Sequence, residues 1–124
     1  MVGTKICLDS GVVFDFLTGE ENAKQKIKLY SKEDLCITSI TLFEIKSVVE
    51  KQEIISELMS FMTVLNFDEN AAEIAAHILR EDLHYGTTRG TKNIMNAAIC
   101  IANDTLLFTK ERKEFEGIKK LKLV

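Results

Sequence analysis

The sequence lacks any apolar run near the roughly 20 residues that a membrane-spanning helix needs. Its start lacks a basic segment followed by an apolar one, so we expect no secretory signal. It has only three cysteines, Cys7, Cys36 and Cys100, which are scattered and lie in apolar contexts. This pattern is typical of reduced core cysteines in a cytoplasmic protein, and it disfavours a disulfide framework or a zinc site. We therefore expect a cytoplasmic protein without membrane association.

Common cofactor and nucleophile motifs are also missing. No G-x-G-x-x-G follows the first apolar segment, so dinucleotide binding is not indicated, and there is no G-x-x-x-x-G-K-[ST] phosphate loop. No G-x-S-x-G elbow presents a nucleophilic serine. His77 and His84 are seven residues apart and have no cysteine or histidine partner at ligand spacing. The chemistry must therefore come from other side chains.

The charge is slightly negative overall and unevenly distributed. A net charge of −3 disfavours a general polyanion binder. Residues 110–122 nevertheless contain six basic and three acidic side chains, a local +3, so the remainder carries −6. This basic segment permits contact with nucleic acid at one rim. A solvated surface helix and tail is the simpler alternative.

Apolar and polar segments alternate along the chain as strands and helices. A length of 124 residues with 46% apolar content suits one domain, residues 1–124, with one core. We found no repeat, linker or low-complexity segment. The predicted strands are 5–9, 34–38, 63–67, 105–109 and an edge strand at 121–124, and the predicted helices are 11–17, 20–30, 39–51 (capped by Ser39), 53–62, 70–83 and 91–103, with a helical turn near Phe115.

This alternation predicts the α/β fold class. Right-handed crossovers would give a three-layer α/β/α, Rossmann-like architecture with a central, mostly parallel sheet of four to five strands. In such sheets, ligands bind outside the carboxyl ends of the strands. Asp9 ends the first predicted strand, where an isolated buried carboxylate would be costly unless it is solvated, paired or bound to metal. The sequence thus predicts a site at this edge.

Three other oxygen-bearing side chains follow strand ends or lie on the adjoining helices. Each has a purely structural alternative. Glu44 could form a capping box with Thr41, Asn93 could cap a helix, and Glu111 could complement a helix dipole. Together with Asp9, these side chains could instead surround one Mg²⁺ or Mn²⁺ ion, because both ions prefer oxygen ligands.

Three segments, in this order, resemble the PIN domain, the nuclease fold of VapC-type toxins in prokaryotic toxin–antitoxin pairs. "CLDSGVVFDFL" is similar to the family's opening strand, acid and apolar helix, and "ITSITLFEI" to its hydroxyl-rich strand exit followed by a glutamate. "NIMNAAICIANDTLLFTKERKEF" resembles the C-terminal block, with paired alanines in a helix and a strand that ends in threonine. The resemblance covers nearly the whole chain.

The resemblance implies a Mg²⁺- or Mn²⁺-dependent endoribonuclease. A metal-activated water would attack an RNA phosphodiester, leaving a 5′-phosphate and a 3′-hydroxyl. The family also implies a homodimer and a cognate antitoxin, for which the apolar residues of the first helix could form a surface or, alternatively, core. The implied metal-binding and catalytic residues are Asp9, Glu44, Asn93 and Glu111, the supporting residues are Ser10 and Thr109, and the RNA-phosphate contacts are Arg89, Lys92, Lys110 and Arg112.

One position departs from the family pattern. Asn93 stands where the family has its third acid, and losing a negative ligand should weaken divalent-cation binding. A weakly active nuclease or a non-catalytic RNA-binding PIN-like module is therefore an open alternative. A more remote alternative is a receiver-like signalling domain, suggested by the chain length and by Thr109-Lys110 after a strand. A receiver needs paired acids after its first strand, and Asp9 is not doubled.

Overall fold

The structure is a computed structural model that describes residues 5–30 and 34–124. It confirms the three-layer α/β/α fold class, with a central five-stranded sheet in which every pairing is parallel. The strands are β1 (Ile6–Leu8), β2 (Leu35–Thr38), β3 (Thr63–Leu65), β4 (Leu106–Phe108) and β5 (Lys122–Leu123), and the helices are α1 (Ser10–Leu17), α2 (Glu21–Lys28), α3 (Ser39–Val48), α4 (Gln52–Met59), α5 (Glu69–Tyr85) and α6 (Thr91–Ala102), with a 3₁₀ turn at Arg112–Phe115.

The strand order is β3-β2-β1-β4-β5. The chain moves outward from β1 through β2 to β3, then returns through α5 and α6 to place β4 on the other side of β1. The order therefore switches between β1 and β4, and a crevice forms outside the carboxyl ends of such strands. This switch point lies beside Asp9 and Thr109.

The two faces of the sheet bury different cores because successive side chains along a strand point to opposite faces. Ile6 and Leu8 of β1 pack in a cluster with residues of α1 to α4. Cys7 lies on the other face, in a cluster with α5, α6 and Phe115. Cys36 and Cys100 share that second cluster, and all three cysteines are buried and free. The prediction that the cysteines lie in the core is confirmed.

Some element boundaries differ from the prediction. Thr38, not Ser39, caps α3, since its Oγ1 accepts the Thr41 N–H at 3.0 Å. Helix α5 runs two residues longer than predicted, to Tyr85, before Gly86 ends it in a left-handed conformation. Helix α4 ends at Met59, three residues earlier than predicted. Within the described ranges, no helix has the length and apolarity to span a membrane.

Candidate functional site

Asp9 lies at the carboxyl edge of the sheet, and strand register explains its partner. Leu8 pairs with Phe108 across β1 and β4, so the next residues, Asp9 and Thr109, lie side by side. The Thr109 hydroxyl donates to Asp9 Oδ2 at 2.7 Å, and the Ser10 backbone N–H donates to Oδ1 at 3.0 Å. Asp9 is only 7% exposed. Its carboxylate is therefore held in place by two hydrogen bonds.

Thr109 also positions Glu111. The Thr109 hydroxyl oxygen accepts the Glu111 backbone N–H at 3.0 Å while the hydroxyl donates to Asp9. Glu111 directly precedes the 3₁₀ turn, and its side chain is exposed and does not cap that turn. The alternative that Glu111 complements a helix dipole stays a prediction, since Glu111 is the N-cap residue of this turn without a capping hydrogen bond. One hydroxyl fixes both the Asp9 carboxylate and the backbone of Glu111.

Helix α6 presents one asparagine to the site and buries another. Asn93, in the first turn, is half-buried and lines a pocket beside Asp9. Asn96, one turn later, is 1% exposed and accepts a hydrogen bond from Thr38 Oγ1 at 2.6 Å. Gly90, not Asn93, is the N-cap residue of α6. Asn93 is thus the asparagine that faces the site, at the position that the sequence pattern indicated.

A pocket of about 280 Å³ opens beside Asp9 at the switch point of the sheet. It contains both acidic and basic side chains. Lys110 is anchored at its rim by an ion pair with Asp15 Oδ2 at 2.6 Å, and this hydrogen bond raises the pKa of Lys110. The pocket is lined by Asp9, Ser10, Gly11, Phe14, Lys92, Asn93, Lys110 and Glu111.

Glu44 is joined to this pocket through Lys92. The Lys92 ammonium contacts Glu44 Oε2 at 2.7 Å and so bridges α3 and α6. The hydrogen bond to Glu44 raises the pKa of Lys92, and the charges of Glu44, Asp9 and Glu111 raise it further. The capping-box alternative for Glu44 fails, because Thr38 already binds the Thr41 N–H and caps α3.

The expected convergence of three carboxylates is therefore incomplete. Across residues 5–30 and 34–124, no group of three or more His, Cys, Asp or Glu side chains is arranged to hold a metal ion. The oxygen donors of Asp9, Asn93 and Glu111 on one pocket still fit Mg²⁺, which is usually bound by one or two carboxylates together with substrate phosphates. Glu44 can join these ligands only if Lys92 is displaced from its carboxylate.

Three of the four residues expected to contact phosphate are exposed, and the fourth, Arg89, is not. Lys110 and Arg112 are exposed, and Arg112 also donates to the Val124 carbonyl. Lys92 is paired with Glu44. Arg89, in contrast, binds groups within the protein.

Arg89 has a structural role that the sequence did not indicate. Its guanidinium makes two contacts with the Asp82 carboxylate, at 3.0 and 3.3 Å, and donates to the Glu114 and Glu116 carbonyls at 2.7 and 3.1 Å. The Arg89 side chain is only 6% exposed. Arg89 therefore joins α5 to the 3₁₀ turn, and we leave it out of the set of phosphate contacts. The sequence did contain one signal for this contact, because Asp82 is an acidic residue on the apolar face of α5 and needs a partner there.

Comparison with known proteins identifies the fold family. A sequence model of the PIN domain matches residues 6–121. Among solved structures, the chain is similar to VapBC2 from Rickettsia felis bound to a DNA fragment from their promoter (22% identity, 98% of each chain covered, TM-score 0.85). It is also similar to DNA-bound VapBC from Salmonella typhimurium (25% identity, 98% of this chain and 97% of that one, TM-score 0.85) and to a toxin–antitoxin complex from Klebsiella pneumoniae (20%, 94% and 95%, 0.76). No curated protein matches the chain significantly.

Proposed function

Because the chain belongs to the PIN domain family, we propose that it is the toxin of a toxin–antitoxin pair and acts as a divalent-metal-dependent endoribonuclease. The observation that carries this proposal is the pocket at the switch point, where Asp9, Asn93 and Glu111 lie together. The likeness to VapBC structures supports the toxin assignment. Residues 1–124 would form one PIN-like domain acting in the cytoplasm.

Asp9 and Glu111 would hold Mg²⁺ or Mn²⁺, with Asn93 as a neutral oxygen ligand. A divalent cation bound here supplies a water of lowered pKa and offsets charge on the phosphoryl oxygens. Ser10 and Thr109 hold the Asp9 carboxylate in one orientation, which reduces the reorganisation needed when a ligand binds.

The proposed substrate is single-stranded or looped RNA, whose unstacked bases are accessible. Lys110 lies at the pocket rim, and Arg112 is exposed nearby in sequence. Both can contact phosphates on either side of the cleaved bond, which would position the strand without reading its sequence.

A non-catalytic or weakly active RNA-binding module is the second candidate, and two observations favour it. Asn93 supplies no charge, and Lys92 occupies one oxygen of Glu44. Asn93 and Glu44, two of the four expected metal ligands, are therefore weaker ligands than free carboxylates would be. This candidate predicts RNA binding without metal-dependent cleavage.

We further propose an antitoxin partner and a homodimer. On α1, Val12 and Val13 are buried, so these residues belong to the core and not to a partner surface. Exposed apolar side chains lie instead on α3 and α5. They are Phe43 and Val48, and Leu79, Leu83 and Tyr85, which are 45–75% exposed. Sedimentation of the purified chain at several concentrations would test self-association, with a monomer at all of them as the contrary result.

Cleavage of a labelled, partly single-stranded RNA tests the nuclease proposal. We expect Mn²⁺-dependent cleavage by the wild type, none with EDTA, and at least about a hundredfold loss in Asp9→Asn. Asp104→Asn is the matched control, because it makes the same chemical change at a side chain that is 91% exposed and remote from the pocket. RNA binding without cleavage in the wild type would favour the second candidate.

A further inference from the structure

We infer that Lys92 is a tethered cation that competes with the divalent metal ion for Glu44. This inference rests on the proposed function, since it concerns the regulation of the same site. Its structural basis is the ion pair between Lys92 Nζ and Glu44 Oε2 at 2.7 Å, next to the pocket that Lys92 itself lines. Lys92 thus occupies a carboxylate that the sequence pattern assigned to the metal.

The state of Glu44 supports competition over a simple structural contact. The Glu44 side chain is 21% exposed, and its Oε1 is buried without a hydrogen-bond partner among the residues that the structure describes. A buried, unpaired carboxylate oxygen is unfavourable unless a cation or donor satisfies it. The ammonium satisfies only Oε2 and leaves Oε1 without a partner, so Lys92 is an incomplete partner for this carboxylate.

The charge of Lys92 acts on more than Glu44. The carboxylates of Glu44, Asp9 and Glu111 all stabilise the Lys92 ammonium. The three acids and Lys92 sum to −2, against −3 without the lysine. A divalent ion at Asp9 and Glu111 would therefore meet a weaker attraction, and it would gain Glu44 only by displacing Lys92.

The Lys92 side chain is able to leave. It is 47% exposed, and exposed ion pairs contribute little to folding stability because water and salt screen them. Displacement by a metal ion or by an RNA phosphate would free Glu44 without unfolding α3 or α6. Until RNA binds, Lys92 would therefore keep the affinity of the site for the metal ion low.

Mn²⁺ affinity, measured by calorimetry without RNA, tests this inference separately from catalysis. We expect Lys92→Gln to bind Mn²⁺ about tenfold more tightly than the wild type, because Glu44 is then free to approach the ion, and one carboxylate charge about 6 Å from a divalent ion in a water-like dielectric contributes a factor of that size. Lys122→Gln is the matched control, since it removes a lysine paired with Asp104 at 3.7 Å, away from the pocket.

A second substitution shows whether the gain acts through Glu44. Measured against Glu44→Gln alone, the double variant Lys92→Gln/Glu44→Gln should show little further tightening of Mn²⁺ binding, because no carboxylate is left for Lys92 to release. Equal or weaker Mn²⁺ binding in Lys92→Gln, or a gain that survives loss of Glu44, overturns the inference while leaving the nuclease proposal in place. If neither the wild type nor Lys92→Gln binds Mn²⁺, both proposals are overturned. Circular dichroism of each variant would establish that the fold is retained.

Discussion

Replacing Thr109 with valine should destabilise the protein by about 2–3 kcal/mol. The hydroxyl donates to the buried Asp9 carboxylate at 2.7 Å and accepts the Glu111 N–H at 3.0 Å. A hydrogen bond to a charged group contributes about 1.5–3 kcal/mol, and the loss is largest where a buried partner is left unsatisfied. Valine has nearly the shape of threonine, so no cavity adds to the effect. Urea unfolding at pH 7 measures the change.

Two variants make this prediction specific. Thr109→Ser keeps the hydroxyl and loses one methyl group, so it should remain within about 1 kcal/mol of the wild type. In the Asp9→Asn background, Thr109→Val should cost less, because the charged acceptor is gone. A Thr109→Val variant within about 0.5 kcal/mol of the wild type would refute the reasoning, because it would show that Thr109 does not hold the Asp9 carboxylate.

Two further substitutions test other parts of the account. Asn93→Asp should tighten Mn²⁺ binding by about tenfold or more and raise RNA cleavage, because it adds a charged ligand to the pocket; no gain in either would count against the position assigned to Asn93. Arg89→Lys should lower the free energy of unfolding by about 2–4 kcal/mol, because lysine cannot reproduce the two-pronged contact with Asp82 or reach both carbonyls. Arg89→Lys should leave the salt dependence of RNA binding unchanged. A stable Arg89→Lys variant with weakened RNA binding would instead indicate that Arg89 contacts phosphate, as expected from the sequence.

The carboxyl edge of the sheet, which carries the candidate site, could be predicted from the sequence because it follows from the order of strands and helices. Strands β1 and β4 are each followed by a polar residue, and their parallel register places Asp9 beside Thr109. The same logic predicted the sheet and the two-sided core. The hydroxyl cap of α3 was misplaced by one residue, since Thr38 and Ser39 are both good caps and only the backbone geometry distinguishes them.

The side-chain pairings could not be predicted in the same way. Whether Lys92 contacts phosphate or Glu44 depends on how closely the starts of α3 and α6 approach, which neither helix pattern encodes. Arg89 likewise appeared to be a free basic residue in a glycine-containing loop, but its partners are 7 to 27 positions away in sequence. Long, flexible charged side chains reach several possible partners, so their contacts depend on the tertiary structure.

The most direct test of the central claim is an anomalous difference map from crystals of the wild-type protein soaked in Mn²⁺. We expect a peak in the switch-point pocket, about 2.0–2.3 Å from an oxygen of Asp9 and close to Glu111. A peak held only by surface acids elsewhere, or no peak in the pocket at saturating Mn²⁺, would contradict it.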